Sequence, residues 1–372
     1  RHQNGGEQAW GRDPWPAKNT MTTQGIPSPG DGLRLHLNEN TGGCSDRVLA
    51  AVHALTATDL ATYPDYRRVV GACAAHFGVD QDWVLLTNGL DEGIFVTSVA
   101  CFARAHDASL EAIVPVPAFD PYLTSATAVG ARIVRVPPGP DFAFPLEGVL
   151  STITPKTRLV FLNTPNNPTG QTISREALRQ IIEAASHATV VIDEAYVEFA
   201  DGSFLDELPR YRNVVVGRTF SKAYGLAGMR IGCLIAHPET LEPIRTSTPV
   251  LNINIVAAAA LQAAVSDAAF LPRYAAQVTA SRQRLYDASR RFGIECWPSA
   301  ANFVLVRVGE RAPEVVAALA AQGVHVRDRS KDAYSPGCIR ITAGVVAHTD
   351  AAISALEAAV ASGVVTVRGG DK

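Results

Sequence analysis

Six short apolar runs recur between residues 82 and 236: DWVLLT (82–87), EAIVPV (111–116), RLVFLN (158–163), TVVID (189–193), NVVVGR (213–218) and RIGCLIA (230–236). They are rich in Val, Ile and Leu and lack the alternation of a half-exposed strand, so both of their faces must be covered. Between them lie helical patterns such as residues 174–186, where Ser174 can cap the start and Leu178, Ile181 and Ile182 recur at helical spacing. Strands and helices alternating in this way predict an α/β fold, with a mainly parallel central sheet clothed by helices.

After about residue 268 the texture changes. A helical pattern over residues 271–291 leads to a strand at 302–307, a helix at 312–321, strands at 324–327 and 338–342, and a last helix at 348–361. A chain of 372 residues is long for one core, since domains run to ~100–200 residues. The expected organisation is a large domain over residues 46–265 and a smaller α+β domain over 266–372, with residues 31–45 as an N-terminal segment associated with the small domain. Nothing resembling a long linker divides them, so the two are expected to pack and share a cleft. Residues 1–30 lack the apolar core of a signal peptide and are expected to form a disordered leader.

A net charge of −3 argues against a surface built for nucleic acid or anionic lipid. No apolar run reaches the ~18 residues that a membrane helix needs. The 6 cysteines are scattered without a CxxC pair, so neither a disulfide framework nor a metal site is expected, and a reducing cytoplasm fits best.

The most informative stretch is RTFSKAYGLAGMRIG, residues 218–232, where Lys222 lies just past an apolar strand among Thr219, Ser221 and Tyr224, with Arg230 further on. A lysine there has a plain reading as a solvated surface group. Two other strand ends add to it: Asp193 and Glu194 close TVVID, and LNTPNNPTG (162–170) carries Asn167. Taken singly, an aspartate there can merely cap the next helix and NNPTG can be only a turn. Together they face the crevice at which open α/β sheets bind ligands. Lysine, aspartate, hydroxyls and arginine are what pyridoxal 5'-phosphate requires: an amine for the Schiff base, an acid at the pyridine nitrogen, and donors for the phosphate. The strand-to-helix turn TNGLDE (87–92) offers free backbone N–H groups and a helix dipole to an anion, although Asp91 and Glu92 also suit an ordinary helix start.

These residues, with LHLNEN (35–40), TYPDY (62–66), PNNPTG (165–170), VIDEAYVEF (191–199) and CIRITAG (338–344), resemble fold type I pyridoxal-phosphate aminotransferases, and within them the histidinol-phosphate aminotransferases. The resemblance spans residues 33–361. It implies an aspartate aminotransferase-like fold, with Lys222 as Schiff-base lysine and proton-transfer base and Asp193 on the pyridinium nitrogen. Asn167 and Tyr196 would bond the phenolic oxygen, and Tyr196 is counted with Lys222 and Asp193 as catalytic. Phe119 would stack on the ring where relatives often have Tyr; by residue type alone it could equally be a core aromatic. The cofactor phosphate would take the amides of Leu90 and Asp91 with Thr219, Ser221 and Arg230, and Tyr63 would reach it from the other subunit of a homodimer.

For the substrate, the resemblance implies Arg340, Arg327 and Asn40. Two guanidinium groups suit a dianion better than a single carboxylate, although Arg327 has a plain reading as an ion-paired strand-end residue. The implied reaction exchanges the amino group of histidinol phosphate with 2-oxoglutarate, giving imidazole-acetol phosphate and glutamate in histidine biosynthesis. An aromatic amino acid aminotransferase and a phosphothreonine decarboxylase of the same fold are the alternatives. The chain departs from the family pattern at Thr41, where Pro commonly follows NEN.

Overall fold

The structure, a computed structural model, describes residues 30–103 and 107–365. The leader expected over residues 1–30 lies, apart from Gly30, outside the described residues, as do residues 366–372. In chain order the strands are β1 (Leu33–Leu35), β2 (Val84–Thr87), β3 (Glu111–Pro115), β4 (Arg132–Val136), β5 (Thr157–Asn163), β6 (Thr189–Asp193), β7 (Val214–Thr219), β8 (Gly232–Ala236), β9 (Glu295–Cys296), β10 (Phe303–Arg307), β11 (Val324–Asp328) and β12 (Cys338–Thr342).

Seven strands form one sheet in the order β2-β8-β7-β6-β5-β3-β4. Only β8 runs against its neighbours; the remaining pairs are parallel. Helices cover the sheet, and Val160, Val190, Ile192, Val215 and Val216 are each 0% exposed, which explains the unbroken apolar runs. Each such side chain contributes roughly 1.5–3 kcal/mol on burial. Asn163 lies beside Asp193, Asp193 beside Gly217, and Thr87 and Thr219 flank Gly232. The C-terminal ends of β2, β5, β6 and β7 therefore open along one edge of the sheet.

Two departures from the expected strands have simple causes. Strand β4 escapes a search for continuous apolar runs because it is an outer strand with Arg132 and Arg135 exposed, whereas the other outer strand, β2, is buried throughout. Strand β8 begins only at Gly232, because Arg230 holds a left-handed backbone (φ 53°) that no strand accommodates.

The second sheet has the order β1-β11-β12-β10-β9 and is antiparallel except where β1 runs alongside β11. Residues just after β1 thus leave the second sheet and cross to the strand ends of the first. A long helix, Phe270–Phe292, joins the two regions and stops at Gly293, whose φ of 67° suits a left-handed cap. From this helix Arg282 donates to the Ser299 carbonyl at 2.7 Å and the Phe199 carbonyl at 3.4 Å, tying the loops of both sheets together.

Candidate active site

Strand β6 delivers Asp193 to the sheet edge, where it is 2% exposed. Its Oδ1 accepts from the Ala195 amide at 2.9 Å and its Oδ2 from the Tyr122 hydroxyl at 2.5 Å. Tyr122 is itself buried and stacks on Phe161, centroids 4.8 Å apart. Burial pushes the Asp193 carboxyl up to about 6, against the pull of those two donors. A desolvated carboxylate with two donors and no cation is built to receive a positive group.

Lys222 follows β7 and lines the same cavity as Asp193. Its Nζ donates to the Leu37 carbonyl at 2.9 Å and lies 6.0 Å from the centre of the Tyr196 ring. Burial first, then the Arg340 charge, lowers the Lys222 ammonium to about 8, so a useful fraction is free amine near neutrality. The buried Tyr196 hydroxyl accepts from Asn38 Nδ2 at 3.0 Å. Asn38 is held in a left-handed conformation (φ 56°) by bonds from its amide to Thr342 Oγ1 and from Asn302 to its carbonyl. Asparagine tolerates that geometry, so the second sheet fixes the residue that orients Tyr196.

The anion cradle lies at the start of helix Gly89–Phe102, where the amides of Leu90 and Asp91 are unused by the helix. Gly89 has φ 73°, and a Cβ there would stand 2.4 Å from Arg230 Nη2, so only glycine lets the guanidinium approach. Arg230 donates to Asp91 Oδ2 at 2.8 Å, while Thr219 and Ser221 complete the lining. Glu92 takes no part: it accepts from the Asn88 amide and from Asn252, both at 2.6 Å.

The opposite end is cationic. Arg327 on β11 pairs directly with Arg340 on β12, and both line the cavity with Arg329. Like charges opposite one another on adjacent strands repel. Arg340 is 6% exposed, and its two terminal nitrogens go to Asn167 Oδ1 and the His36 carbonyl, not to a carboxylate. Burial, followed by Tyr196 acting oppositely and then Arg329 and Arg327, draws Arg340 down to about 9. The Nε atoms of Arg329 and Arg340 are buried without an acceptor among the described residues.

The cavity measures about 640 Å³, which suits a cofactor and a small substrate together. The donor set fits pyridoxal phosphate part by part: a buried carboxylate for a ring nitrogen, an amine, a helix-start cradle for a phosphate, and an aromatic wall of Phe119 edge-on to Tyr122 at 5.8 Å.

Residues 30–357 match the model of the aminotransferase class I and II family. The chain belongs to the class I and II aminotransferases. Histidinol-phosphate aminotransferase 2 of Ralstonia nicotianae is 38% identical over 339 residues, covering 88% of this aminotransferase and 89% of the relative. Among solved structures, histidinol-phosphate aminotransferase from Sinorhizobium meliloti in complex with pyridoxal-5'-phosphate superposes with a TM-score of 0.82 at 27% identity, covering 93% of this chain and 98% of that one. An aspartate aminotransferase from Thermus thermophilus shares the fold, with a TM-score of 0.77 at 23% identity over 92% of this chain and 93% of that one.

Of the residues expected from sequence, the aminotransferase brings Leu90, Asp91, Phe119, Asn167, Asp193, Tyr196, Thr219, Ser221, Lys222, Arg230, Arg327 and Arg340 to one cavity. Asn40 is not among its lining residues. Its side chain is spent on structure, donating to the Ala223 carbonyl and accepting from the Gly42 amide, both at 2.9 Å. Tyr63 also lies away from the cavity of its own chain and is 77% exposed. Sequence reasoning missed Tyr122, His36, Asn38 and Arg329. The proximity of Asn38 to Asn40 in LHLNEN and of Arg329 to Arg327 in VHVRDRS was the available signal for two of them.

Proposed function

We propose that this aminotransferase uses pyridoxal phosphate to exchange the amino group of histidinol phosphate with 2-oxoglutarate, yielding imidazole-acetol phosphate and glutamate in cytoplasmic histidine biosynthesis. One observation carries the substrate choice: Arg327 stands opposite Arg340 in strand register, with Arg329 in the same lining, and of the three only Arg329 is spent on a carboxylate, pairing with Asp332 at 2.6 Å. That excess of cationic charge, which Asp120 in the same lining only partly offsets, suits a phosphate dianion better than one carboxylate. The name of the Ralstonia relative supports the same reading.

When bound, the cofactor supplies an electron sink conjugated to the substrate α-carbon. The protein's share is positional and acid–base. Asp193 would hold a proton at the ring nitrogen, and Tyr122 and Ala195 keep that carboxylate oriented. Lys222 Nζ would move a proton between the substrate α-carbon and the cofactor C4′, accepting it as the free amine and giving it up as the ammonium, a task suited to an amine whose pKa lies near 8. Tyr196 and Asn167 would anchor the phenolic oxygen, and Leu90, Asp91, Thr219, Ser221 and Arg230 would hold the phosphate. Phe119 covers the ring.

We further propose a homodimer in which the Tyr63 hydroxyl serves the cradle of the second copy. Its exposure, like that of Leu60 (61%) and Val250 (87%), leaves large apolar side chains for a second copy to cover.

The test compares kcat/KM for histidinol phosphate and for phenylalanine, with 2-oxoglutarate as acceptor. Histidinol phosphate should be preferred, and Arg327→Ala should damage its turnover far more than that of phenylalanine. A preference for phenylalanine overturns the substrate and leaves the family standing.

A further inference from the structure

His36 lies one residue beyond β1, is 7% exposed, and lines the cavity beside Arg327, Arg329 and Arg340. Both of its ring nitrogens are buried without a hydrogen-bond partner among the described residues. A histidine that merely fills a core normally satisfies at least one nitrogen. This one is instead held at both ends by other means: its carbonyl accepts from Arg340 Nη2 at 2.7 Å, and its ring packs edge-on to His325 with centroids 6.3 Å apart.

The cationic end of the cavity has ample charge, and part of its donor set is already committed within the protein. Arg340 has committed Nη1 to Asn167 and Nη2 to His36's own carbonyl, and Arg329 has committed Nη2 to Asp332. Each guanidinium carries five N–H groups, so the three arginines keep donors for a phosphate monoester; what sets His36 apart is a buried ring in the same lining with no partner for either nitrogen among the described residues. Resting on the substrate reading above, we propose that His36 is a specificity-determining residue whose ring N–H donates to the phosphate arm of the substrate. Burial, then the charges of Arg34, His325, Arg327 and Arg340, lowers the imidazole to about 4, so the ring works as a neutral donor. In that form one nitrogen donates and the other stays available as an acceptor, for a phosphate hydroxyl or water.

The test uses the holoenzyme, so that the cofactor fills its own phosphate cradle. Selectivity is kcat/KM for histidinol phosphate divided by that for phenylalanine, measured for wild type, His36→Ala and His36→Gln. His36→Ala should lower the ratio about tenfold, or 1.4 kcal/mol, chiefly through KM for the phosphate ester. His36→Gln should recover most of it, because its amide still donates. Independently of turnover, inorganic phosphate titrated into the holoenzyme should move the His36 ring ¹⁵N resonances, assigned by their loss in His36→Gln. A wild type that prefers phenylalanine overturns the substrate reading and this inference with it. A wild type that prefers the phosphate ester, with a ratio that His36→Ala leaves intact, overturns this inference alone. Should His36→Ala fail to fold, ring resonances unmoved by phosphate overturn it equally.

Discussion

Replacing Asp193 with asparagine removes one negative charge and almost no volume, and the effect on the cofactor-free protein follows from the carboxyl's surroundings. Burial raises its pKa from 3.8 to about 6; at 1.36 kcal/mol per unit, keeping it ionised costs the folded state about 3 kcal/mol at pH 7 and roughly half that at pH 5. The sign is that of a raised folded-state value. The favourable contribution is complete below the unfolded value and is lost as pH climbs through about 6. A side-chain amide does not titrate, so Asp193→Asn must gain stability over wild type across that window. Against this stands the loss of the hydroxyl's acceptor: the Ala195 amide keeps one, but Tyr122 loses its own, at about 1–2 kcal/mol for a neutral buried pair, the added strength of the charged bond being already contained in the carboxyl's value of about 6. The net expectation is a variant apoprotein less stable than wild type near pH 4 and about 1–2 kcal/mol more stable at pH 7. Urea unfolding of both cofactor-free proteins from pH 4.5 to 8 measures the difference directly. Turnover should move the other way, falling about 10²–10³-fold, because the ring nitrogen loses a buried ionic partner. A stability difference that stays flat between pH 5 and pH 8 would refute the argument that Asp193 is held ready, at a cost, for a cation.

Tyr122→Phe deletes a hydrogen bond to that same carboxylate, worth about 1.5–3 kcal/mol. The carboxyl should rise by a further one to two units, so the pH below which cofactor affinity weakens moves from about 6 to between about 7 and 8; fluorescence titrations of the apoprotein locate it, and an unmoved midpoint contradicts the role of Tyr122. In the role proposed for it, Lys222 would capture the cofactor as its free amine. Because its ammonium is lowered to about 8, the rate of pyridoxal phosphate uptake by the apoprotein should climb with pH up to about 8 and level off above it. Stopped-flow absorbance checks this, and a rate flat from pH 6.5 to 8 counts against the lowered value.

Lys222, Asp193 and Asn167 were legible because each ends, or closely follows, a strand buried on both faces, and such strands declare themselves in sequence as unbroken apolar runs. Their C-terminal ends must meet at one edge, so the convergence of these side chains on one cavity needed no coordinates. Strand β4 lacked that signature for the same physical reason, being an edge with arginines facing water. Tyr122 was invisible because nothing local marks a tyrosine whose partner lies 71 residues away. Asn38 and Asn40 stand in the same motif, and residue type offers no ground for choosing between them. What separates them is the left-handed turn at Asn38, which sends its amide to Tyr196 while Asn40 is absorbed by the Ala223 carbonyl. The arginines show the limit most clearly. Their spacing in the chain says only that both belong to the second sheet, and either could have been solvated. Strand register turns them into a directly opposed, half- to fully buried pair of like charges, an arrangement that consistent folding would exclude. Such a violation persists where a ligand relieves it, so the repulsion between Arg327 and Arg340 is itself the strongest pointer to an anionic substrate.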